Sequence, residues 1–276
     1  MIEVGRRPYA YSTSHRLDVV EVVLQDGTRR ELLRKDLRWS ELHAGALAAK
    51  PAFLHDRRRE IDAYRLLAGE GLGTPTCYES EDEDCLLLER VAGVELWQVG
   101  ELETWVAAAR WLARLHSRFA SSPPKAGSLL RYDAAYFSLW LSRALRAQPS
   151  LAPHLAGYER VIGILCGSPP TLVHGEFYAS NILAAGTRIA AVDWEMAGIG
   201  PGVLDLAALV SGWGSAERAA IVAGYGDTPP SALDAAELHL ALQWLGWSPD
   251  WTPPPEHGRD WLLVARQAAE RMGLGR

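Results

Sequence analysis

The stretch from Leu172 to Ala207, LVHGEFYASNILAAGTRIAAVDWEMAGIGPGVLDLA, limits what this chain can fold into more than any other part of it. TLVH reads as a short apolar strand that delivers His174. A polar loop follows, holding Glu176 and Asn181. NILA and RIAAVDW read as a second strand pair that ends at Asp193. Three oxygen-bearing side chains, Glu176, Asn181 and Asp193, thus leave strand ends near one another. A lone His-Gly or a lone strand-end Asp is commonly structural; the ordered set resists that account.

Such a set suits phosphoryl transfer. Mg²⁺ takes a few hard oxygen ligands and otherwise keeps water and substrate phosphates. An Asn and an Asp can hold it, while a nearby carboxylate accepts the proton of an attacking hydroxyl. The spacing from His174 to Asn181 is similar to the protein-kinase catalytic loop H-R-D-x-x-x-x-N, with Gly175 for Arg and Glu176 for Asp. Asp193-Trp194-Glu195 stands where the kinase D-F-G would.

The segment resembles the aminoglycoside phosphotransferase / choline kinase-like phosphotransferase family, whose signature is H-G-D-x-x-x-x-N followed by I-D-W/F-E. RREIDAYRLL resembles the family's N-lobe helix, LLLERVAG its inter-lobe hinge, WLARLH the helix after the hinge and GPGVLDLA the segment after the metal-binding Asp. The resemblance covers roughly residues 10 to 270. It implies an α+β, protein-kinase-like two-lobed fold. A β-rich N-lobe of one sheet plus one helix would occupy residues 1–91, a hinge 92–96, and a helical C-lobe 97–276. It implies an ATP- or GTP-dependent, Mg²⁺-dependent kinase for a small-molecule hydroxyl on a sugar, an aminoglycoside-like compound or another metabolite.

The resemblance also implies residue roles. Asn181 and Asp193 would bind Mg²⁺, and Glu176 takes the place of the catalytic base. Lys35 would hold the α- and β-phosphates, with Glu60 pairing to it. Backbone atoms of Glu89, Arg90 and Val91 would meet the adenine, and His174 would support the loop. Two departures stand out. Glu176 is one methylene longer than the usual Asp, and misplacement by about 1 Å can cost on the order of a hundredfold in rate. A nucleotide-binding scaffold without catalysis is therefore the alternative; a peptide Ser/Thr kinase is a further one. No Gly-rich phosphate loop precedes the first hairpin. In its place stand Ser12, Thr13 and Ser14, which can offer hydroxyls and a nest of N–H groups or be only a polar turn.

The rest of the chain fits this frame. Asp18–Leu24 and Arg30–Leu37 flank Asp26-Gly27, a strong hairpin signal. Alternation puts Lys35 on the face of Leu33. Residues 56–73 read as a helix capped by Asp56, with Ile61, Tyr64 and Leu67 on one stripe and Glu60 in the first turn. A strand is expected over 85–93. Helices are expected over 102–119, 134–147, 154–166, 204–213, 216–225, 232–245 and 259–272. Glu195 and Asp205 read as loop braces. Trp244, Trp247, Trp251 and Trp261 form an aromatic corner, read either as a packed lobe edge or as an acceptor-pocket wall.

Composition removes other classes. The chain has 276 residues, 28 Lys+Arg against 34 Asp+Glu and a net charge of −6, so a broad basic surface for nucleic acid is not expected. Charge is nearly balanced from residue 97 onward, which gives no support to a polycationic acceptor over a neutral one. Three cysteines form no disulfide framework, as expected of a cytoplasmic protein. No membrane span is expected, because the most apolar stretch, near 182–210, carries Arg188, Asp193, Glu195 and Asp205.

Overall fold

The computed structural model describes residues 1–9, 14–78, 80, 82–247 and 258–275. Ser12 and Thr13, and Trp251 of the aromatic corner, lie outside the described residues.

The first part of the chain builds a five-stranded antiparallel sheet. Its strands are β1 (Ile2–Pro8), β2 (Leu17–Val23), β3 (Arg29–Asp36), β4 (Cys77–Tyr78) and β5 (Cys85–Glu89), in the spatial order β1-β2-β3-β5-β4. The β2–β3 turn forms as its sequence demands. Gly27 takes φ +80°, and Thr28 N–H donates to Asp26 Oδ1 at 2.9 Å. Two helices, not one, pack in this part: α1 (Ala44–Ala49) and α2 (Arg57–Leu67). The short α1 lacks a capping side chain and an apolar period, so nothing in the sequence announced it. Asp56 caps α2 by accepting from Arg58 N–H, and Ile61, Ala63, Tyr64 and Leu67 turn inward. β1 also lay outside the sequence reading; it pairs with β2 but keeps mostly exposed side chains, so its apolar alternation is faint.

The chain then crosses through β6 (Val94–Glu95) into α3 (Leu102–Ala120), β7 (Leu130–Arg131), α4 (Ala134–Ala147) and α5 (Glu159–Gly167). Where the sequence suggested one helix over 154–166, the structure has a 3₁₀ turn over Pro149–Leu155 and then α5. Gly157, at φ +85°, separates the two. β8 (Pro170–Val173), β9 (Ile182–Ala185), β10 (Arg188–Ala191) and β11 (Gly198–Pro201) follow, then α6 (Val203–Leu209), α7 (Ser215–Tyr225), α8 (Pro230–Gly246) and α9 (Trp261–Arg271). The late strands form two three-stranded sheets, β10-β9-β6 and β7-β11-β8. β11, a Gly-rich strand, escaped the sequence reading. It needs its glycines, because a Cβ on Gly198 or Gly200 would collide with Tyr132.

One core runs through both parts. α3 buries Trp105, Ala109, Leu112, Leu115 and Phe119 along the anticipated stripe. Trp111 Nε1–H donates to the Leu72 carbonyl, joining α3 to the end of the first part. α8 is buried on most sides and forms the centre of the helical part. The aromatic corner is mostly packed: Trp244 stacks on Trp261 at 5.1 Å and Trp247 on Trp140 at 5.8 Å. Among the described residues, no helix is long and apolar enough to cross a membrane.

Two tests follow from this packing. Leu112 is fully buried and Leu139 is 37% exposed. Leu112→Ala should cost about 2–5 kcal/mol in denaturant titration, and Leu139→Ala within about 0.5 kcal/mol. The second test concerns the Arg188 guanidinium, which grips Glu89 at 2.6 and 2.9 Å and joins β5 to β10. These hydrogen bonds hold the Glu89 carboxyl down to about 2. A depressed carboxylate stabilises the fold above its ordinary range and loses that contribution as pH falls. Melting temperature should therefore drop between about pH 4.5 and 2, and Arg188→Met should flatten that part of the profile.

Candidate active site

A cleft of about 340 Å³ opens between the antiparallel sheet and the late strands. Lys35, Glu60, Ser14, Glu89, Arg90, Val91, Asn181 and Asp193 all line it. Eight of the expected site residues are thus brought to one cavity from six separate stretches of chain. Leu33 lines it with Lys35, as β alternation requires.

The cleft is organised around Lys35. Its Nζ lies 2.7 Å from Glu60 Oε2 and 2.5 Å from Asp193 Oδ1. Lys35 is only 7% exposed and Glu60 only 2%. Burial alone would discharge the ammonium, but Asp193, then Glu60 and Glu195, hold it well above the ordinary lysine range. A buried fixed cation flanked by carboxylates, facing an open cleft, is a seat for an anionic group.

The loop after β8 is held by hydrogen bonds as well as by packing, with Phe177 stacked on Trp111 at 5.5 Å. Asp205, at the start of α6, accepts from His174 N–H at 2.7 Å and from Gly175 N–H at 2.8 Å. His116 Nε2–H donates to the same carboxylate at 3.2 Å, and the Tyr225 hydroxyl donates to His116 Nδ1 at 2.8 Å. His174 is fully buried. It accepts from Glu176 N–H at Nδ1 and donates from Nε2 to the Val192 carbonyl at 2.9 Å, so it ties the loop to the residue before Asp193. Burial lowers its basicity, which suits the neutral ring these bonds require. Gly175 takes φ +85°, and a Cβ there would meet the Tyr132 hydroxyl and the Met196 carbonyl.

Asn181 Nδ2–H donates to the Glu176 carbonyl at 3.0 Å, which fixes the amide with its oxygen available. Asp193 holds φ +64°, a left-handed conformation unusual for a residue with a side chain. Asn181 and Asp193 supply two hard oxygen donors, a set that fits Mg²⁺ held mainly by substrate phosphates and water. Among the described residues, no cluster of three or more His, Cys, Asp or Glu offers an all-protein cage.

Glu176 stands apart from the other expected residues. Its backbone belongs to the loop, but its side chain is not among those lining the cleft. Burial, then the negative charges of Glu195 and Asp193, push its carboxyl well above the usual range. Glu195 is not free to bind a metal in this arrangement. Lys50 Nζ lies 2.5 Å from it, and despite burial Lys50 and then Lys35 hold its carboxyl down to about 2. Arg59 donates to the Glu195 carbonyl, to Leu54 and to Ser128, fastening this corner. Lys50, Arg59 and His116 were missed from sequence. Arg59 stands in RREIDAYRLL and His116 ends WLARLH, whereas Lys50, just past α1, has no pattern around it.

Asp205 is the test of this loop. Asp205→Ala orphans two buried N–H groups and His116. It should destabilise the fold by about 3 kcal/mol or more in urea titration, with Asp205→Asn recovering part of the loss.

The sequence profile of the phosphotransferase enzyme family APH matches residues 18–239. None of the curated proteins compared with the chain matches it. Among solved structures, the choline kinase LicA from Streptococcus pneumoniae superposes with TM-score 0.63 at 14% identity, covering 98% of this chain and 94% of that one. The macrolide 2'-phosphotransferase MphH from Brachybacterium faecium gives 0.62 at 16% identity, covering 97% and 91%. A streptomycin–ATP complex of APH(2")-IIa gives 0.58 at 15% identity, covering 98% and 92%. At these identities the likeness speaks for the protein-kinase-like fold, and the profile match over most of the chain speaks for the family. The chain belongs to the APH phosphotransferase family and is a phosphotransferase with an alcohol group as acceptor.

Proposed function

We propose that the chain transfers the γ-phosphoryl group of ATP or GTP, with Mg²⁺, to a hydroxyl of a small molecule. The lobes would be residues 1–91 and 97–276, hinged at 92–96. The observation that carries this reading is Lys35, which joins Glu60 of α2 to Asp193 of the late strands across a cleft that Asn181 also lines.

In this reading Lys35 holds the α- and β-phosphates while Glu60 fixes its direction. Asn181 and Asp193 would hold Mg²⁺ together with the substrate phosphates. The ion would neutralise phosphate charge at that point. Backbone groups of Glu89 to Val91 face the base, and Ser14 lies near the phosphate end. Ser12 and Thr13 would complete that end. The acceptor's O–P bond forms as the γ-phosphate bond to the nucleoside diphosphate breaks. The hydroxyl proton passes to Glu176, which must be ionised to take it. Mg²⁺ held by Asn181 and Asp193 would supply positive charge that favours the ionised form. No covalent enzyme intermediate is needed, because positioning and charge stabilisation supply most of the rate.

A noncatalytic nucleotide-binding module is the second reading, favoured by Glu176, which stands in the place of the usual Asp and is not among the residues lining the cleft. The deciding experiment incubates the protein with Mg–ATP or Mg–GTP and a metabolite pool, and searches by mass spectrometry for compounds that gain one phosphate. Transfer is expected, and Glu176→Gln should lower its rate by about 10²–10⁴-fold while leaving nucleotide affinity within a factor of about three. Nucleotide binding with no phosphorylated product from any pool would overturn catalysis.

A further inference from the structure

A second cavity, of about 300 Å³, lies beside the first. Its walls include Trp97, Trp105 and Trp261, the loop residues Tyr178 to Ser180, and Ser211 and Gly212 past the end of α6. Ser180 lines both cavities, so the two spaces meet at the residue before Asn181. That volume sits at the low end for small-molecule sites and equals about ten water-sized groups.

Its chemistry is one-sided. Three indoles and a phenol ring give flat apolar walls, and Trp97 at 48% exposed leaves an indole open to an incoming ring. Arg259 is the one charged side chain among the described residues of the lining. Its guanidinium lies 5.3 Å over the Trp261 ring and donates to Ser211 Oγ, which fixes it in place. Among the described residues it has no carboxylate within ion-pair distance. Glu237, the carboxylate whose charge it feels, already pairs with Arg218 at 3.0 Å and with Arg271. A half-buried guanidinium with open donors seeks a carboxylate or phosphate. Among the described residues of the lining a cationic acceptor meets only the like charge of Arg259, and the nearby Glu95 carboxylate is engaged by the Trp97 indole N–H.

Building on the phosphotransfer reading, we infer that this cavity holds the body of the acceptor, and that the acceptor is a compact ring-bearing hydroxy acid. Its ring lies against Trp97, its acid group meets Arg259, and its hydroxyl points past Ser180 toward Asn181 and Asp193. Polycations are excluded from the site by Arg259.

Calorimetric titration separates this from the broader reading. The probes are 3-phenyllactate and 4-hydroxyphenylacetate, their uncharged amides, and choline and kanamycin, each added to the full chain in Mg–ADP. At least one of the acids should bind, ten times or more tighter than its amide, with choline and kanamycin weaker still. Arg259→Gln should weaken the acid tenfold or more and leave the amide unchanged. Arg259→Lys, which keeps the charge but not the fork, should fall between the two. Thermal melts confirm that each variant is folded. Tighter binding of choline or kanamycin, no binding by either acid, or acid binding indifferent to Arg259 would overturn the inference. Arg259-dependent binding of an acid that never gains phosphate from Mg–ATP would leave the pocket assignment standing and count against the kinase reading instead.

Discussion

A lysine ammonium buried in protein is tolerable only where opposite charges surround it. Lys35 meets that condition through two carboxylates from elements far apart in sequence, Glu60 of α2 and Asp193 of the late strand pair. This one requirement ties the antiparallel sheet, its helix and the late strands into a single cleft. It also leaves the ammonium facing space that an anion can fill. The same group that joins the ion network is, in the proposed function, the one that would receive the phosphates.

A second constraint supports the first. The residues between His174 and Asp193 must hold a loop in which glycine and aspartate adopt left-handed backbone angles. Asp205 and His174 make that geometry persist, by capturing two backbone N–H groups on one side and the Val192 carbonyl on the other. Asn181 is fixed by the Glu176 carbonyl within the same loop. The donors that would meet a metal are therefore held by backbone bonds rather than by surface packing. Such bonds give the positional accuracy that phosphoryl transfer demands.

Much of this was legible before any coordinates. The Asp26-Gly27 hairpin, the Asp56 cap, the α3 stripe from Trp105 to Phe119 and the strand–loop–strand run around Asn181 all have local causes written in adjacent residues. Lys35 was legible because alternation placed it with Leu33 and a family resemblance gave it a role. What stayed hidden has long-range causes. Lys50 reaches Glu195 from a patternless loop, and His116 and Tyr225 join Asp205 from two different helices. β11 hid behind glycines whose reason is the ring of Tyr132, and β1 behind exposed side chains that lack apolar rhythm. Arg259, at the start of the helix expected over 259–272, carries no local sign of the cavity it lines.

The most direct measurement of the central claim is the affinity for Mg–ATP, by calorimetry, of the wild-type chain and of Lys35→Met, each shown to be folded by circular dichroism. The account predicts a loss of at least tenfold on removing that ammonium. Equal affinity for the two would mean that Lys35 serves the fold alone, and would contradict the assignment of the cleft.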